Sequence, residues 1–222
     1  MTHLVQGRKL FILPMNERGL TPFNEIFAIE NLRAAKQAFE MVKFFQIAME
    51  NDGHFSLKKA IKIVNRNPNI TVINSTDQTL YQNHNRVEEM VNRVIQVLNC
   101  FLDMAVPQKQ QEQLYTAISY AFISLNLQTT DGWIFYRKES GHSTTYRYNI
   151  FFAVQNASIG GFVYGVPMGM TIKVDQEYER VLFITLKDEV SYSVHIEALK
   201  VMEPLESYVN ARVLAYLQNM VG

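Results

Sequence analysis

Apolar side chains recur at three- and four-residue intervals along most of the first half of the chain, and at two-residue intervals along most of the second. The first spacing builds a stripe on a helix, the second a face on a strand. Helices followed by strands predict an α+β layer arrangement rather than alternating βαβ units. A short strand is expected at residues 9–13. Residues 23–50 then read as helical, as one helix or as two with a break near Glu30 or Asn31. Their apolar side carries Phe27, Leu32, Ala35, Phe39, Val42 and Ile47, and Gly53 is the stop signal. Between residues 54 and 81 the period fades. Residues 57–64 fit a strand or a helix. The β-branched run Ile70-Thr71-Val72-Ile73 predicts a short strand after a turn at Asn65, Asn67, Pro68 and Asn69.

Residues 86–105 have the clearest helical period: Val87, Met90, Val91, Val94, Leu98, Phe101, Leu102 and Ala105 share one face. Glu88 and Glu89 sit in the first turn, where they complement the helix dipole. Pro107 turns the chain into a second helix over residues 110–125, with Leu114, Ala117, Ile118, Ala121, Phe122 and Leu125 on its stripe. Two such stripes joined by a short loop predict an antiparallel hairpin lying on something flat. Strands take over from Trp133. Over residues 145–155, Tyr146, Tyr148, Ile150, Phe152 and Val154 face one side, and Arg147, Asn149, Phe151, Ala153 and Gln155 the other. Phe162–Val174 and residues 180–186 are further strands. Residues 191–202 alternate again, with Tyr192, Val194, Ile196 and Ala198 against Ser193, His195 and Glu197. Turns at Gly141, at Gly160-Gly161 and around Lys187-Asp188-Glu189 leave short connections, which favour antiparallel pairing. A last helix over residues 205–220 presents Tyr208, Val209, Val213, Tyr216 and Leu217.

With 222 residues, of which 48% are hydrophobic, the chain can build one sizeable core, and residues 1–222 are expected to form a single domain. Lysine plus arginine and aspartate plus glutamate balance at 21 each. No basic excess supports nucleic-acid binding, and apolar burial rather than charge is the route left to a membrane. Cys100 is the one cysteine. It forms no intrachain disulfide and reads as a small buried helix residue. The early run Leu10-Phe11-Ile12-Leu13 is too short for a signal peptide. No apolar stretch is long enough for a transmembrane helix, so entry into a bilayer would require refolding.

Candidate chemistry is sparse. His3, His54, His84, His142 and His195 show no metal-binding spacing, and one cysteine cannot complete a zinc set. No phosphate-loop, dinucleotide or nucleophile-elbow motif occurs. Gly160, Gly161, Gly165 and Gly169 lie in and beside a strand pattern with Pro167, and read as turn and bulge glycines. Asp103, Asp131 and Asp188 have no assignable carboxylate partner. No cofactor or catalytic residue is expected. The aromatic-basic segments at residues 133–138 and Tyr146-Arg147-Tyr148 fit a base-stacking surface or, better with zero net charge, a sheet face covered by aromatics. A strand crossing a bilayer needs about 9–11 residues. Residues 145–155 and 191–202 reach that length with one apolar and one mixed face, as does Phe162–Val174 apart from Pro167. Such strands also lie beneath helices in ordinary soluble sheets.

The order of residues narrows the choice. It runs Asn126, Trp133-Ile134-Phe135, Lys138-Glu139, Tyr146, Tyr148-Asn149, Phe152-Ala153 and Gln155-Asn156-Ala157. Gly160-Gly161, Tyr164, Val166-Pro167, Ile172-Lys173-Val174, Val181-Leu182-Phe183, Ser191-Tyr192, Val194, Ile196 and Leu199-Lys200 follow. This series resembles the cytolytic delta-endotoxin (Cyt) family nearly without gaps from about Asn126 to Leu205. The helix near residues 85–102 is also similar, while before Asn83 the likeness lies in the order of elements. The resemblance implies a three-layer α/β/α sandwich: a mostly antiparallel sheet between two layers of helical hairpins. It implies a soluble monomer or dimer, released without a visible signal peptide, that binds target-cell phospholipid directly, forms homo-oligomers there and permeabilises the bilayer. Two mechanisms fit, an oligomeric pore of long strands or a detergent-like carpet. In the first, the inserting face would carry Tyr146, Tyr148, Ile150, Phe152, Val154, Phe162, Tyr164, Val166, Ile172, Val174, Tyr192, Val194, Ile196 and Ala198. The departing cover would carry Val87, Val91, Val94, Leu98, Phe101, Leu114, Ile118 and Phe122. Family protoxins carry longer flanks removed by proteolysis, and some pair through an N-terminal strand. With about eight residues before the first strand pattern, neither is implied here. A lipid- or glycan-binding module that keeps the fold without perforating, and a cytosolic α+β enzyme, are the competing readings.

Overall fold

A computed structural model describes residues 22–29, 31–102, 108–128, 134–140, 142–156 and 161–205. The strand expected at residues 9–13, nearly all of the helix expected at 205–220, and Pro107, Trp133, Gly141 and Gly160 lie outside the described residues. Described strands are β1 (Asn24–Ala28), β2 (Thr71–Arg86), β3 (Ile134–Ser140), β4 (Ser143–Asn156), β5 (Phe162–Val174) and β6 (Glu189–Pro204). The helices are α1 (Leu32–Gln46), α2 (Leu57–Val64), α3 (Val87–Leu102), α4 (Gln108–Tyr120) and the one-turn α5 (Tyr178–Val181). The strands form one sheet in the order β1-β4-β5-β6-β2, with β3 also pairing to β4. Every pairing is antiparallel except β1 with β4, which is parallel. β1 runs beside Ile150 to Val154 and β3 beside Ser143 to Tyr148, so the two share one edge of β4.

Both faces of the sheet are covered. On one, α1 and α2 bury Ala34, Ala38, Met41, Val42, Phe45, Ala60 and Val64 against Phe151, Ala153, Val163, Leu199 and Val201. On the other lie α3 and α4. This is the expected three-layer α+β sandwich with a mostly antiparallel sheet. The alternation of β4 and β6 is as expected, and the helix over residues 86–105 is seen as Val87–Leu102.

Other elements differ, each for a physical reason. Residues 24–28, expected to be helical, are a strand, because the edge of β4 offers them a full ladder. Helix α1 starts where the break was expected: Asn31 caps it, its side chain accepting from the Arg33 N–H at 2.8 Å. Leu32 and Ile47 are exposed, 70% and 66%, because the buried stripe runs through Ala34, Ala35, Ala38, Met41, Val42 and Phe45 instead. The helix ends at Gln46, well before Gly53, which occupies a turn at φ 77°. The short strand expected at Ile70-Thr71-Val72-Ile73 begins at Thr71 as the start of the 16-residue β2, an edge strand whose polar, solvated residues hide any period. The second hairpin helix ends at Tyr120, followed by a 3-10 turn at Leu125–Leu127. Residues 180–186 are not a strand: Val181 and Ile184 are buried one helical turn apart, and Phe183 is exposed. Cys100, expected to be buried, lies exposed on α3.

Two glycines are in β5 for close approach rather than for a turn or bulge. The register of β5 is unbroken through both. A Cβ on Gly165 would come within 2.9 Å of Met41 Sδ, and one on Gly169 within 2.7 Å of Phe55 Cβ. Pro167 leaves β5 and β6 unpaired between Gly165 and Met168 without shifting their register. Since Phe55 Cβ sits next to its backbone, Gly169→Ala is expected to cost about 1–3 kcal/mol, lowering Tm by roughly 3–10 °C. An unchanged melting curve would show that the Phe55 loop yields freely.

Candidate membrane-insertion surface

The even-numbered residues of β4, β5 and β6 share the face under α3 and α4. They align in cross-strand rows: Tyr146–Ile172–Val194, Tyr148–Met170–Ile196 and Ile150–Met168–Ala198. Phe152 with Val166 and Val174 with Tyr192 extend the band, and all these side chains are buried. Phe162 and Tyr164, expected on the same face, are only partly buried. Met168 and Met170 belong to the band, although sequence reasoning passed over them beside Pro167. Parity along the strand was the signal that would have found them. The first charge on this face of β6 is Lys200, whose ammonium donates to the Leu102 carbonyl.

The cover consists of Val87, Val91, Val94, Leu98 and Phe101 on α3, Leu114 and Ile118 on α4, and Phe122 just beyond it, all in one apolar cluster with the band. Met90, Leu102, Ala117, Ala121 and Leu125 join them. Polar ties across this interface include the Lys200 bond to the Leu102 carbonyl and the Arg93 guanidinium donating to the Tyr81 carbonyl at 2.5 Å. The Tyr146 hydroxyl donates to the Ala121 carbonyl at 2.7 Å, and the Tyr148 hydroxyl to Gln128 Oε1 at 3.4 Å. Phe122 meets Tyr192 edge to face at 5.4 Å. At the base of α3 the chain leaves β2 through His84 at φ 41°, and the Gln82 amide donates to the carbonyls of Asn85, Arg86 and Val190.

The opposite layer is fastened differently. Arg147 reaches the Asp52 carboxylate at 2.5 Å and its carbonyl at 2.8 Å, and Asn149 donates to the Gly53 carbonyl. Glu197 accepts the Leu57 N–H, and His54 lies 2.9 Å from the same carboxylate. Thus the polar alternates Arg147, Asn149 and Glu197 bolt the turn between α1 and α2 to the sheet. Tyr146 and Tyr148 point into the opposite core from Arg147, so this segment is no base-stacking surface. Among the described helices none is long and apolar enough to cross a membrane.

The architecture, a sheet held between two helical layers with a mainly apolar face beneath α3 and α4, is shared with a family of toxins. The family model described as "Bacillus thuringiensis toxin" matches residues 5–221, and the chain belongs to this family. It is 37% identical over 202 residues to the type-1Aa cytolytic delta-endotoxin of Bacillus thuringiensis subsp. morrisoni, covering 87% of this chain and 80% of that protein. To the type-1Ba cytolytic delta-endotoxin of subsp. neoleoensis it is 36% identical, covering 94% and 81%. The crystal structure of activated Cyt2Ba monomer from subsp. israelensis superposes with a TM-score of 0.79 at 30% identity, covering 84% of this chain and 100% of that one. A second solved delta-endotoxin superposes with a TM-score of 0.83 at 26% identity, covering 92% and 90%.

Burial pushes the Tyr192 phenol far above the usual tyrosine range, and the Asp188 carboxylate adds to the rise. Its hydroxyl has no hydrogen-bond partner among the described residues. The folded state therefore holds this proton more tightly than the unfolded chain. Stability is intact below the ordinary tyrosine pKa of about 10 and falls as pH rises above it. Tyr192→Phe is expected to fold normally and to flatten this alkaline loss in denaturant titrations between about pH 9 and pH 11. An alkaline limb as steep as that of the parent protein would place the loss elsewhere.

Proposed function

We propose that the chain is a cytolytic toxin, released from the producing cell, that binds phospholipid of a target membrane directly. It self-associates there and inserts β4, β5 and β6 once the α3–α4 layer has left the sheet. The observation that carries this reading is the uncharged band of rows from Tyr146 to Ile150 and their partners on β5 and β6, beneath a cover held mainly by apolar contact. Removing that cover in water would expose the band at about 25 cal/mol per Å². In a bilayer, hydrocarbon replaces the helices and the penalty largely vanishes. Strands of 14, 13 and 16 residues exceed the span required. On the other face, the half that carries Arg147, Asn149, His195 and Glu197 suits the polar interior of a barrel. A sheet in lipid cannot leave its edges unpaired, and pairing them is what self-association supplies.

A reducible crosslink between α3 and β6, in a Cys100→Ser background, is expected to stop dye release from phospholipid vesicles until a reductant is added. A crosslink between α1 and β5 serves as the comparison. Full release by the oxidised α3–β6 form would refute departure of that layer. Vesicle binding with no release by the uncrosslinked protein would favour a non-perforating lipid-binding module.

A further inference from the structure

We propose that Asp77, His195 and Glu197 form a binding site for a divalent transition-metal ion, joining β2 to β6. The site lies on the α1–α2 face of the sheet and is independent of the membrane-insertion reading. Asp77 and Glu197 are direct cross-strand partners in the β2–β6 ladder, a placement that sets two like charges opposite each other and is unfavourable without a countercharge. The cationic partners of these carboxylates among the described residues are imidazoles alone. With neutral histidines the pair carries a charge of −2, which a divalent ion balances.

The geometry suits such an ion. His195 Nε2 lies 3.5 Å from Asp77 Oδ1 and 3.9 Å from Glu197 Oε2, and one ligand atom from each residue falls within 4.8 Å of the others. Zinc bound at about 2.0–2.2 Å to nitrogen and oxygen places tetrahedral ligands roughly 3.4 Å apart, so a small inward turn of the carboxylates closes the set. His195 is already oriented. Its Nδ1 is 3.0 Å from Thr79 Oγ1 on the neighbouring strand, and the tautomer that donates there turns the Nε2 lone pair toward the carboxylates. Glu197 is held in turn by the Leu57 N–H and by His54. The half-exposed Asp77 and His195 side chains leave the fourth position to water. An imidazole with two carboxylates favours zinc, cobalt or nickel over calcium or magnesium. Spacing along the sequence concealed this site, because Asp77 meets His195 and Glu197 only across a strand pair.

Zinc chloride titrated calorimetrically into chelator-treated protein near neutral pH is expected to show one saturable site. Asp77→Asn and His195→Asn should each weaken it at least tenfold. Cobalt should give the visible absorption of a low-symmetry site, lost in His195→Asn. A His84→Ala/His142→Ala double variant, which removes two exposed histidines paired with single carboxylates, should bind as the parent does. Both single variants alter solvent-accessible side chains, and circular dichroism checks their folding. No saturable zinc binding, or binding retained in both single variants, would overturn the proposal.

Discussion

Strands β4, β5 and β6 bury apolar side chains on both faces, and in water the folded sheet keeps both covered. A sheet with one solvated face could rest on a single layer of helices. Here Tyr146, Ile150 and Val194 point one way while Phe151, Val163 and Val201 point the other. Two helical layers are therefore required, and on the α1–α2 side the fit is close. Gly165 and Gly169 let α1 and the Phe55 turn approach the strand backbone, where any larger residue would hold them off.

The two covers meet this requirement by different means. On the α1–α2 side, Arg147, Asn149 and Glu197 are buried polar groups that need partners, and the turn between the helices supplies them. Separating that layer would leave these groups unsatisfied unless water reached them. On the α3–α4 side the strand face is mainly hydrocarbon and aromatic, and separation costs apolar exposure together with the tyrosine hydrogen bonds, the Lys200 bond to the Leu102 carbonyl and the Arg93 bond to the Tyr81 carbonyl. Apolar exposure is the one penalty a bilayer removes. The two covers thus differ in the balance of polar and apolar contact that holds them, and the proposed membrane activity rests on that difference.

The buried face was legible from the chain because strand alternation depends only on neighbouring residues. The even positions of β4 and β6 could be written down directly, as could the stripe of α3. Errors fell where a tertiary partner overrode local pattern. Asn24–Ala28 reads as helix in isolation and becomes strand because β4 has an open edge. Most of β2 lacks a period because an exposed edge strand needs none, and only β6 gives it its length. Cys100 and Leu32 sit on helices of correct type yet face solvent, since apolarity alone does not say which way a helix is rotated.

By itself the sequence determined the order of helices and strands in the main, the alternating faces of the long strands, and the resemblance that led to the family. Each is carried by residues close together along the chain. Tertiary structure decided which elements share an edge, which polar residues lock the α1–α2 turn, and that Asp77 stands opposite Glu197. Those facts rest on contacts between residues far apart in sequence, and such contacts exist only after the sheet has chosen its register.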